Sequence, residues 1–236
     1  MILVLLLAAL TFNTTAHRAA DPIAVSEFLQ GTPRKIAVGA ARDVNAACRL
    51  GITGKPAWVV DHLAPPDDAY YTLLDPKTCG CSGPEGVRLP NAHVMLEFPA
   101  ACGIPASVAV VKADLTDELC PVPVPDAYLF EPITCKLSVK EAGPCDLILP
   151  LDTEICITQK AFLVVAFPEE GDCKELPRLL TTDGCSACAS YGISKDGPQD
   201  LCRVLPGNPI MCVEATCCDE VPARRTTWGE VKTHYR

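Results

Sequence analysis

The sequence predicts an all-β protein: an antiparallel, jelly-roll-like β-sandwich stapled by disulfides, with a small mixed N-terminal appendage and a short C-terminal helical tail. From Pro65 onward, Pro, Gly and Cys recur roughly every 8 to 15 residues, which is the spacing of short strands joined by turns. Apolar and polar residues alternate in several of the segments between these turns. Fifteen cysteines accompany the pattern, so we expect crosslinks that hold the turns to the sheets.

Length and composition limit the classes of protein to which the chain can belong. Its 236 residues suffice for one large all-β domain, and 49% apolar residues can form a real core. A formal charge of −9 disfavours binding to phosphate backbones and anionic membranes. We therefore expect no nucleic-acid partner. We also expect no transmembrane segment, because Pro, Cys or charge interrupts every later apolar run.

The first 16 residues, MILVLLLAALTFNTTA, are predicted to be a signal peptide. This apolar run is too short to span a bilayer comfortably and ends in small and polar residues, with cleavage after Ala16 or Ala20. Because the run contains no Lys or Arg after Met1, a buried first strand or helix, or a trimmed gene start, is the alternative. Export predicts a secreted, periplasmic or cell-surface protein, and the cysteine content agrees with an oxidising compartment.

Residues 17–63 are predicted to form an appendage of mixed secondary structure, with extended chain lying along the main domain as the alternative. Asp21-Pro22 is a favourable helix start, and Gly31 and Gly51 suit positions just after helix ends. The expected elements are a helix ending at Gln30, a strand over 35–39, a helix over 43–50 and a strand over 57–60.

Residues 64–218 are predicted to form the sandwich itself. Apolar and polar residues alternate over 92–98, so Val94 faces the core and His93 faces away from it. The continuous apolar segment 161–167 predicts a central strand that is covered on both sides. Further strands are expected over 104–113, 135–139, 146–151 and 211–217, and CPVPVP at 120–125 predicts a connection or an edge strand.

The cysteines are predicted to be paired in structural disulfides. Most lie beside Pro, Gly or Asp in expected turns, and their odd number leaves at least one thiol outside any intrachain pair. Each closed loop is expected to stabilise the fold by about 2–4 kcal/mol. The candidates for pairing are Cys79, Cys81, Cys102, Cys120, Cys145, Cys156, Cys173, Cys185, Cys188, Cys202, Cys217 and Cys218.

The segment TTDGCSACASYG contains a Cys-x-x-Cys pair for which three roles are considered. A redox pair normally lies at a helix N-terminus, and the glycine turns that follow Cys188 leave no room for a helix. A zinc site would also need Cys79 and Cys81, whose single-residue spacer is shorter than zinc ligand pairs usually have. We therefore predict that Cys185 and Cys188 anchor one loop to two different partners.

The chain is predicted not to be an enzyme and to hold no cofactor and no metal. It contains neither a G-x-S-x-G elbow nor an H-E-x-x-H motif. His62 and His93 could join carboxylates such as Asp61, Asp67 and Asp68 at a site. Solvent-facing residues beside a turn explain these side chains as well, and that is the interpretation we favour.

Two patterns are candidates for ligand binding. Asp114 and Asp117 in the segment DLTD could bind calcium, although an ordinary turn has the same composition. Exposed aromatic rings would bind a glycan, and Trp58, Tyr70 and Tyr71 are the candidates. In the Tyr70-Tyr71 pair, one ring is expected to pack inward and the other to face solvent.

Residues 219–236 are predicted to form a linker and a short helical tail. Thr227 and Glu230 have the spacing of a helix capping box. Trp228, Val231 and Tyr235 recur on one helical face, but so short a helix needs a surface on which to lie. That surface is either the chain's own sandwich, or a protein partner or surface-attachment machinery that recognises the tail.

Seven segments follow one another in a specific order: PPDDAYYTLLDPKTCGC, HVMLEF, CPVPVPDAYL, KAFLVVAF, TTDGCSACASYG, LPGNPIMCVEATCC and TTWGEVKTHYR. In this order they resemble a group of uncharacterised exported proteins of environmental bacteria, in which a Cys-rich β-sandwich precedes a short Trp-Gly-containing tail. The resemblance covers about residues 58–236 and implies compartment and architecture, but no chemistry. KAFLVVAF, a polar loop and GNPIMCVEA are more distantly similar to the closing strands of jelly-roll accessory modules of secreted enzymes.

The function expected from these observations is that of a secreted or surface-associated, non-enzymatic structural or interaction protein. The alternative is a carbohydrate- or ligand-binding accessory module that is calcium-dependent if the DLTD segment binds the ion.

Overall fold

The structure is a computed structural model that describes residues 34–35, 48–60, 69–81, 86–151, 156–167, 171–194 and 197–218. These residues contain no α-helix, and none of their helical segments is long and apolar enough to cross a membrane. Two short 3-10 turns are present, Pro76–Cys79 and Leu201–Arg203. The strands are β1 (Arg34–Lys35), β2 (Cys48–Gly51), β3 (Trp58–Val60), β4 (Ala69–Leu74), β5 (Val87–Arg88), β6 (Asn91–Phe98), β7 (Gly103–Asp114), β8 (Val122–Ser138), β9 (Gly143–Pro150), β10 (Cys156–Ile157), β11 (Ala161–Ala166), β12 (Arg178–Thr181), β13 (Ser190–Ser194), β14 (Gly197–Asp200) and β15 (Met211–Cys217).

The strands form two antiparallel sheets. The large sheet has nine strands in the order β1-β3-β12-β6-β15-β5-β10, with β2 also paired to β15 and β9 also paired to β6. The small sheet has six strands in the order β14-β13-β4-β11-β7-β8. The proline-rich segment that predicts an edge or a connection enters β8, which lies at the edge of the small sheet.

The two sheets face each other across one main core. Alternate side chains of β6 and β15, among them Val94, Leu96 and Val213, enter this core from the large sheet and are fully buried. Leu163 and Val165 of β11 enter it from the small sheet. The predicted all-β class with two packed antiparallel sheets is confirmed.

The central strand β11 is buried on both of its faces, as its uninterrupted apolar sequence predicts. Phe162 and Val164 point away from the main core into a second apolar cluster on the outside of the small sheet. Tyr71 and Tyr191 belong to the same cluster, and the rings of Phe162 and Tyr191 pack edge to face with centroids 5.6 Å apart. Apolar residues on both faces are therefore required along this strand.

The described part of the predicted N-terminal appendage is paired into the large sheet. β3 forms where a strand is predicted over 57–60, whereas the helix predicted over 43–50 is wrong where it is described, because residues 48–51 form β2. Pairing with β15 and the burial of Leu50 outweigh the local helix preference. The predicted signal peptide, the helix ending at Gln30 and the C-terminal tail lie outside the described residues.

Six disulfides connect the strands and turns, which confirms the predicted disulfide content. All three close pairs of cysteines divide between separate partners: Cys79 and Cys81 bond to different residues, and so do the members of the pairs Cys185/Cys188 and Cys217/Cys218. The bonds are Cys48–Cys79, Cys81–Cys217, Cys102–Cys173, Cys120–Cys188, Cys156–Cys218 and Cys185–Cys202.

Three cysteines have free thiols, namely Cys135, Cys145 and Cys212. The predicted pairing of Cys145 is therefore wrong, because this residue lies inside β9 opposite Leu96 and packs against the main core without a disulfide partner. Cys48 takes the place of Cys145 among the paired residues. The sequence predicts a helix at Cys48, whereas this residue begins β2.

Thiol titration of the oxidised protein tests this pairing. Without reductant, the denatured chain should expose three reactive thiols, and the native chain fewer, because Cys212 is only 3% exposed. More than three thiols in the denatured chain would contradict the assigned pairs, as would stoichiometric zinc. Reduction should lower the Tm, since the crosslinks that restrict the unfolded chain are then lost.

Gly51 ends β2 at a position that only glycine fits. Its φ of +103° lies in the left-handed region, and a Cβ built there would be 2.7 Å from the carbonyl oxygen of Met211. The sequence predicts that Gly51 follows the end of a helix. The structure shows a close approach to the backbone of β15 instead.

Replacing Gly51 by Ala should therefore destabilise the protein by about 1–3 kcal/mol, through backbone strain and displacement of β2. Gly184→Ala is the matched control, because a Cβ at Gly184 meets no atom within 4 Å. The control should change the free energy of unfolding by no more than about 0.5 kcal/mol in a denaturant titration. Equal effects of the two substitutions would contradict the close approach at Gly51.

Candidate functional site

Charged and polar side chains gather on the outer face of the large sheet, where four strands lie side by side. The alternation that sends Val94 and Val213 into the main core sends their neighbours to the opposite face. We call this group the outer-face cluster. It consists of Arg49 on β2, Asn91 and His93 on β6, Asp146 on β9, and Cys212 and Glu214 on β15.

His93 is the centre of the outer-face cluster and is only 2% exposed. Its Nδ1 lies 3.2 Å from each carboxylate oxygen of Asp146, and its Nε2 lies 3.2 Å from Oε1 of Glu214. Both ring nitrogens can donate at once only when the imidazole is protonated. The hydrogen bond to Asp146 contributes most to a raised pKa of His93, while burial and the charge of Arg49 oppose the rise.

Glu214 connects His93 to the neighbouring polar group. The Nδ2 of Asn91 donates to Oε2 of Glu214 over 2.7 Å, and the other carboxylate oxygen contacts His93. The hydrogen bond from Asn91 contributes most to a lowered pKa of Glu214, and His93 and Arg49 contribute further. The Glu214 carboxylate is therefore charged and held in place at neutral pH.

Cys212 lies directly opposite His93 in the ladder between β15 and β6. Burial raises the pKa of its thiol to about 11, while the guanidinium of Arg49 opposes this rise by its charge and by a hydrogen bond. The Nε and Nη2 atoms of Arg49 are buried and have no hydrogen-bond partner in the described part of the chain. Two guanidinium nitrogens thus remain without an acceptor beside a neutral thiol.

The geometry does not match a nucleophilic Cys-His pair, although Cys212 and His93 are cross-strand neighbours. Both imidazole nitrogens that could take the thiol proton face carboxylates, and the thiol is buried and protonated at neutral pH. The cluster instead holds the guanidinium of Arg49 and the imidazole of His93 beside the carboxylates of Asp146 and Glu214. Ile148 lies across the ladder from His93 on the same face and is 56% exposed, so an apolar side chain adjoins the charged groups.

The aromatic residues predicted to bind a ligand are not exposed platforms. Tyr70 and Tyr71 are 4% and 6% exposed, so the expectation that one of the two rings faces solvent is wrong. Tyr70 packs in the main core against Phe167, and Tyr71 lies in the second apolar cluster, where burial raises its pKa to about 12. The side chains of this second cluster are buried, so the outer face of the small sheet presents no exposed ring at Tyr71. Trp58, in β3, is half-buried.

The carboxylates proposed for calcium are engaged in turns. Oδ1 of Asp114 accepts from the backbone and the hydroxyl of Thr116, and Oδ1 of Asp117 accepts from the backbone of Leu119 and Cys120. These bonds are those of an ordinary turn, the alternative that the composition leaves open. No group of three or more potential metal ligands occurs within the described ranges.

The Cys-x-x-Cys loop is held by two disulfides and one buried amide. Asn208 is 2% exposed; its Oδ1 accepts from the backbone of Ser186 over 2.6 Å, and its Nδ2 donates to the hydroxyl of Ser190 over 2.6 Å. Cys185 is bonded to Cys202, and Cys188 is bonded to Cys120. Neither sulfur is therefore available as a zinc ligand, and the two do not form a redox pair with each other. The loop is anchored at two points, as the sequence predicts.

Sequence reasoning missed most of the outer-face cluster. The interpretation of His93 as solvent-facing is wrong, because neighbouring strands cover it. Its partners are Asp146 and Glu214, whereas Asp61, Asp67 and Asp68 lie outside the described residues. The alternation of apolar and polar residues places His93 and Glu214 on the polar faces of their strands. Only the register between the strands brings the two side chains together. His62 and the tail residues Trp228, Val231 and Tyr235 also lie outside the described residues.

Comparison with known proteins yields distant likenesses to solved structures, among them the two that follow. No protein-family model and no curated protein matches the chain. The cysteine protease and lectin-like domains of Cwp84, a surface layer associated protein of Clostridium difficile, match 68% of this chain and 33% of their own, with 12% identity and a TM-score of 0.42. The clostridial cysteine protease Cwp84 after propeptide cleavage matches 64% and 36%, with 13% identity and a TM-score of 0.41. The chain thus spans about a third of the solved chains it resembles, and similarity this low identifies neither a family nor an activity.

The pH dependence of stability tests the charge state of His93. Because its carboxylate neighbours raise its folded-state pKa above the usual 6.5, its contribution to stability is fully present below pH 6.5. That contribution is lost as the pH rises through the folded pKa. The contribution of Glu214 to stability depends on pH in the opposite direction. It is present above the usual pKa of 4.5 and is lost as the pH falls through the lowered pKa of Glu214 in the folded protein.

The substitution His93→Gln should therefore reduce the free energy of unfolding more at pH 5.5 than at pH 9, as measured by urea titration at both values. Asp146→Asn is the companion variant, and it should remove the larger part of the same pH dependence because Asp146 raises the His93 pKa most. If the free energies of unfolding of the parent and of His93→Gln differ by the same amount at both pH values, the protonated, carboxylate-bound state of His93 is contradicted.

Proposed function

We propose that the chain is an extracellular, non-enzymatic structural or interaction protein, in a secreted, periplasmic or cell-surface location. The observation that supports this most is the set of six disulfides, which tie strands and turns of both sheets to one another. A reducing cytosol would open such bonds, whereas an oxidising compartment preserves them. A chain with this many crosslinks keeps its surface geometry under conditions that loosen an ordinary core.

The outer-face cluster supports a binding role rather than a catalytic one. General acid-base chemistry needs a group that can exchange a proton with a substrate. Both nitrogens of His93 already face carboxylates, and the thiol of Cys212 is buried. What the cluster offers a partner is a set of fixed hydrogen-bonding groups around the exposed side chain of Ile148.

A carbohydrate- or ligand-binding accessory module is the second candidate function. Asp146, half-exposed at 36%, and Glu214, at 18%, present carboxylate oxygens at the surface in positions that neighbouring strands determine. Fixed acceptors of this kind can bind sugar hydroxyls without a large loss of side-chain entropy. The tail residues Trp228, Val231 and Tyr235 are the proposed contact with a protein partner or an attachment machinery.

A glycan array, read with and without chelator, separates the two functions. Retention of a glycan by the parent protein supports the accessory module, and its loss in chelator makes that binding calcium-dependent. If no glycan is retained, and truncation after Arg225 abolishes surface retention while folding is unchanged, the interaction protein is supported. Protein isolated from its natural compartment with most of its cysteines reduced would contradict the extracellular assignment.

Substitutions on the outer face should report directly on partner or glycan binding. Ile148→Ser and Asp146→Asn should each weaken it by about tenfold, because a central contact of an interface contributes on the order of 1–2 kcal/mol. Glu141→Gln is the control, since Glu141 is exposed on the turn before β9 and lies outside the cluster. Affinities measured by surface plasmon resonance that fall equally in all three variants would place the contact elsewhere.

A further inference from the structure

A groove lies beside the first 3-10 turn, where the loop over 115–119 and the segment 158–160 approach it. Its volume is about 430 Å³. A smaller lobe of about 200 Å³ adjoins it across the same segment and reaches Cys156 and Leu129. We call the two lobes together the edge groove. Neither lobe contains a residue of the outer-face cluster.

The lining of the edge groove combines apolar and charged groups. Leu119 is 95% exposed at its rim, which is unusual for a large aliphatic side chain and leaves apolar area for a partner to cover. Lys160 donates to the backbone oxygen of Glu118 over 3.0 Å, so the carboxylate of Glu118 is not used in that contact. Lys77 and Lys112 have no carboxylate partner within the described ranges. Such a lining suits a peptide that carries charges of both signs and an apolar anchor.

The described chain ends at the wall of this groove. Cys218, the last described residue, is bonded to Cys156, and Cys156 lines the smaller lobe. The backbone amide of Cys218 also donates to Gly86 over 3.1 Å, which fixes the point from which the following residues leave. From Cys156 the groove continues for four residues to Lys160, at most about 13 Å of extended chain.

Residues 219–236 have the length and the charge order to occupy the edge groove. Trp228 follows Cys218 by ten residues, which span at most about 33 Å when extended, so Leu119 lies within its reach. The segment begins with Asp219 and Glu220, opposite in charge to the lysines of the smaller lobe, and continues with Arg224 and Arg225, opposite in charge to Glu118. An aromatic anchor then follows where the apolar rim is exposed.

We propose that the edge groove is the docking site of the chain's own C-terminal tail, with the indole of Trp228 lying on Leu119. This inference rests on the proposed role of the tail as a contact segment and supplies its position in the free protein. Docking covers the most exposed leucine of the described structure and pairs the groove's charges with the two oppositely charged dipeptides of the tail. A partner that binds the tail then competes with the groove.

The fluorescence of Trp228 tests the proposal in the full-length chain. The chain has two tryptophans, so the difference between the parent and Trp228→Phe gives the emission of Trp228 alone. In the parent, this emission should be blue-shifted, and acrylamide should quench it about threefold less readily than in a free peptide of residues 219–236, because burial of the ring excludes the quencher. Leu119→Lys should raise quenching to the value of the peptide, and it should leave the fold intact because the side chain is exposed.

Ile148→Lys is the matched control, because Ile148 is also a large exposed aliphatic residue but lies on the large sheet; it should leave the quenching unchanged. Quenching in the parent equal to that of the free peptide would overturn the proposal, as would an unchanged value in Leu119→Lys. A blue shift that disappears on dilution would mean that the tail of a second copy occupies the groove, which also overturns docking within one chain. Two results together would exclude the groove but leave the proposed partner contact of the tail standing. In the full-length parent, acrylamide would quench Trp228 as readily as in the free peptide, and truncation after Arg225 would abolish partner capture.

Discussion

The antiparallel pairing of β15 is the interaction on which most of the structure depends. Its backbone pairs with β2, β5 and β6, and its alternate side chains divide between two environments. Met211 and Val213 fill the main core, whereas Cys212 and Glu214 form part of the outer-face cluster. At its end, Cys217 and Cys218 bond to two separate segments, which fixes both the small lobe of the edge groove and the exit of the tail.

The disulfides act on a fold that already has a continuous apolar core. Most bonded cysteines lie in turns or at strand ends, where few other contacts hold the chain, so each bond restricts a segment that the core does not. Asn208 serves the same purpose by hydrogen bonding in the Cys-x-x-Cys loop. An oxidising compartment preserves the disulfides, which is compatible with an extracellular location.

Burying charged groups on a sheet face has a free-energy cost that only their mutual arrangement offsets. Asp146 on β9 and Glu214 on β15 lie within hydrogen-bonding reach of His93, so carboxylates face both nitrogens of the buried imidazole. The two buried nitrogens of Arg49 are the exception, since no acceptor in the described structure satisfies them. An apolar sheet surface would avoid this cost, and the proposed binding role places recognition on this polar face.

The sequence by itself determined the all-β class, the alternation of faces, the strand near 58–60, the doubly buried β11 and the crosslinked state of the Cys-x-x-Cys loop. These properties follow from local periodicity and residue chemistry, which a linear sequence records directly. Only the tertiary structure decided that residues 48–51 form a strand, that Tyr71 is buried, that Cys145 is free and that Asp146 and Glu214 meet His93. Each of these depends on which strands become neighbours and in which register, and that choice is set by contacts between residues far apart in the chain.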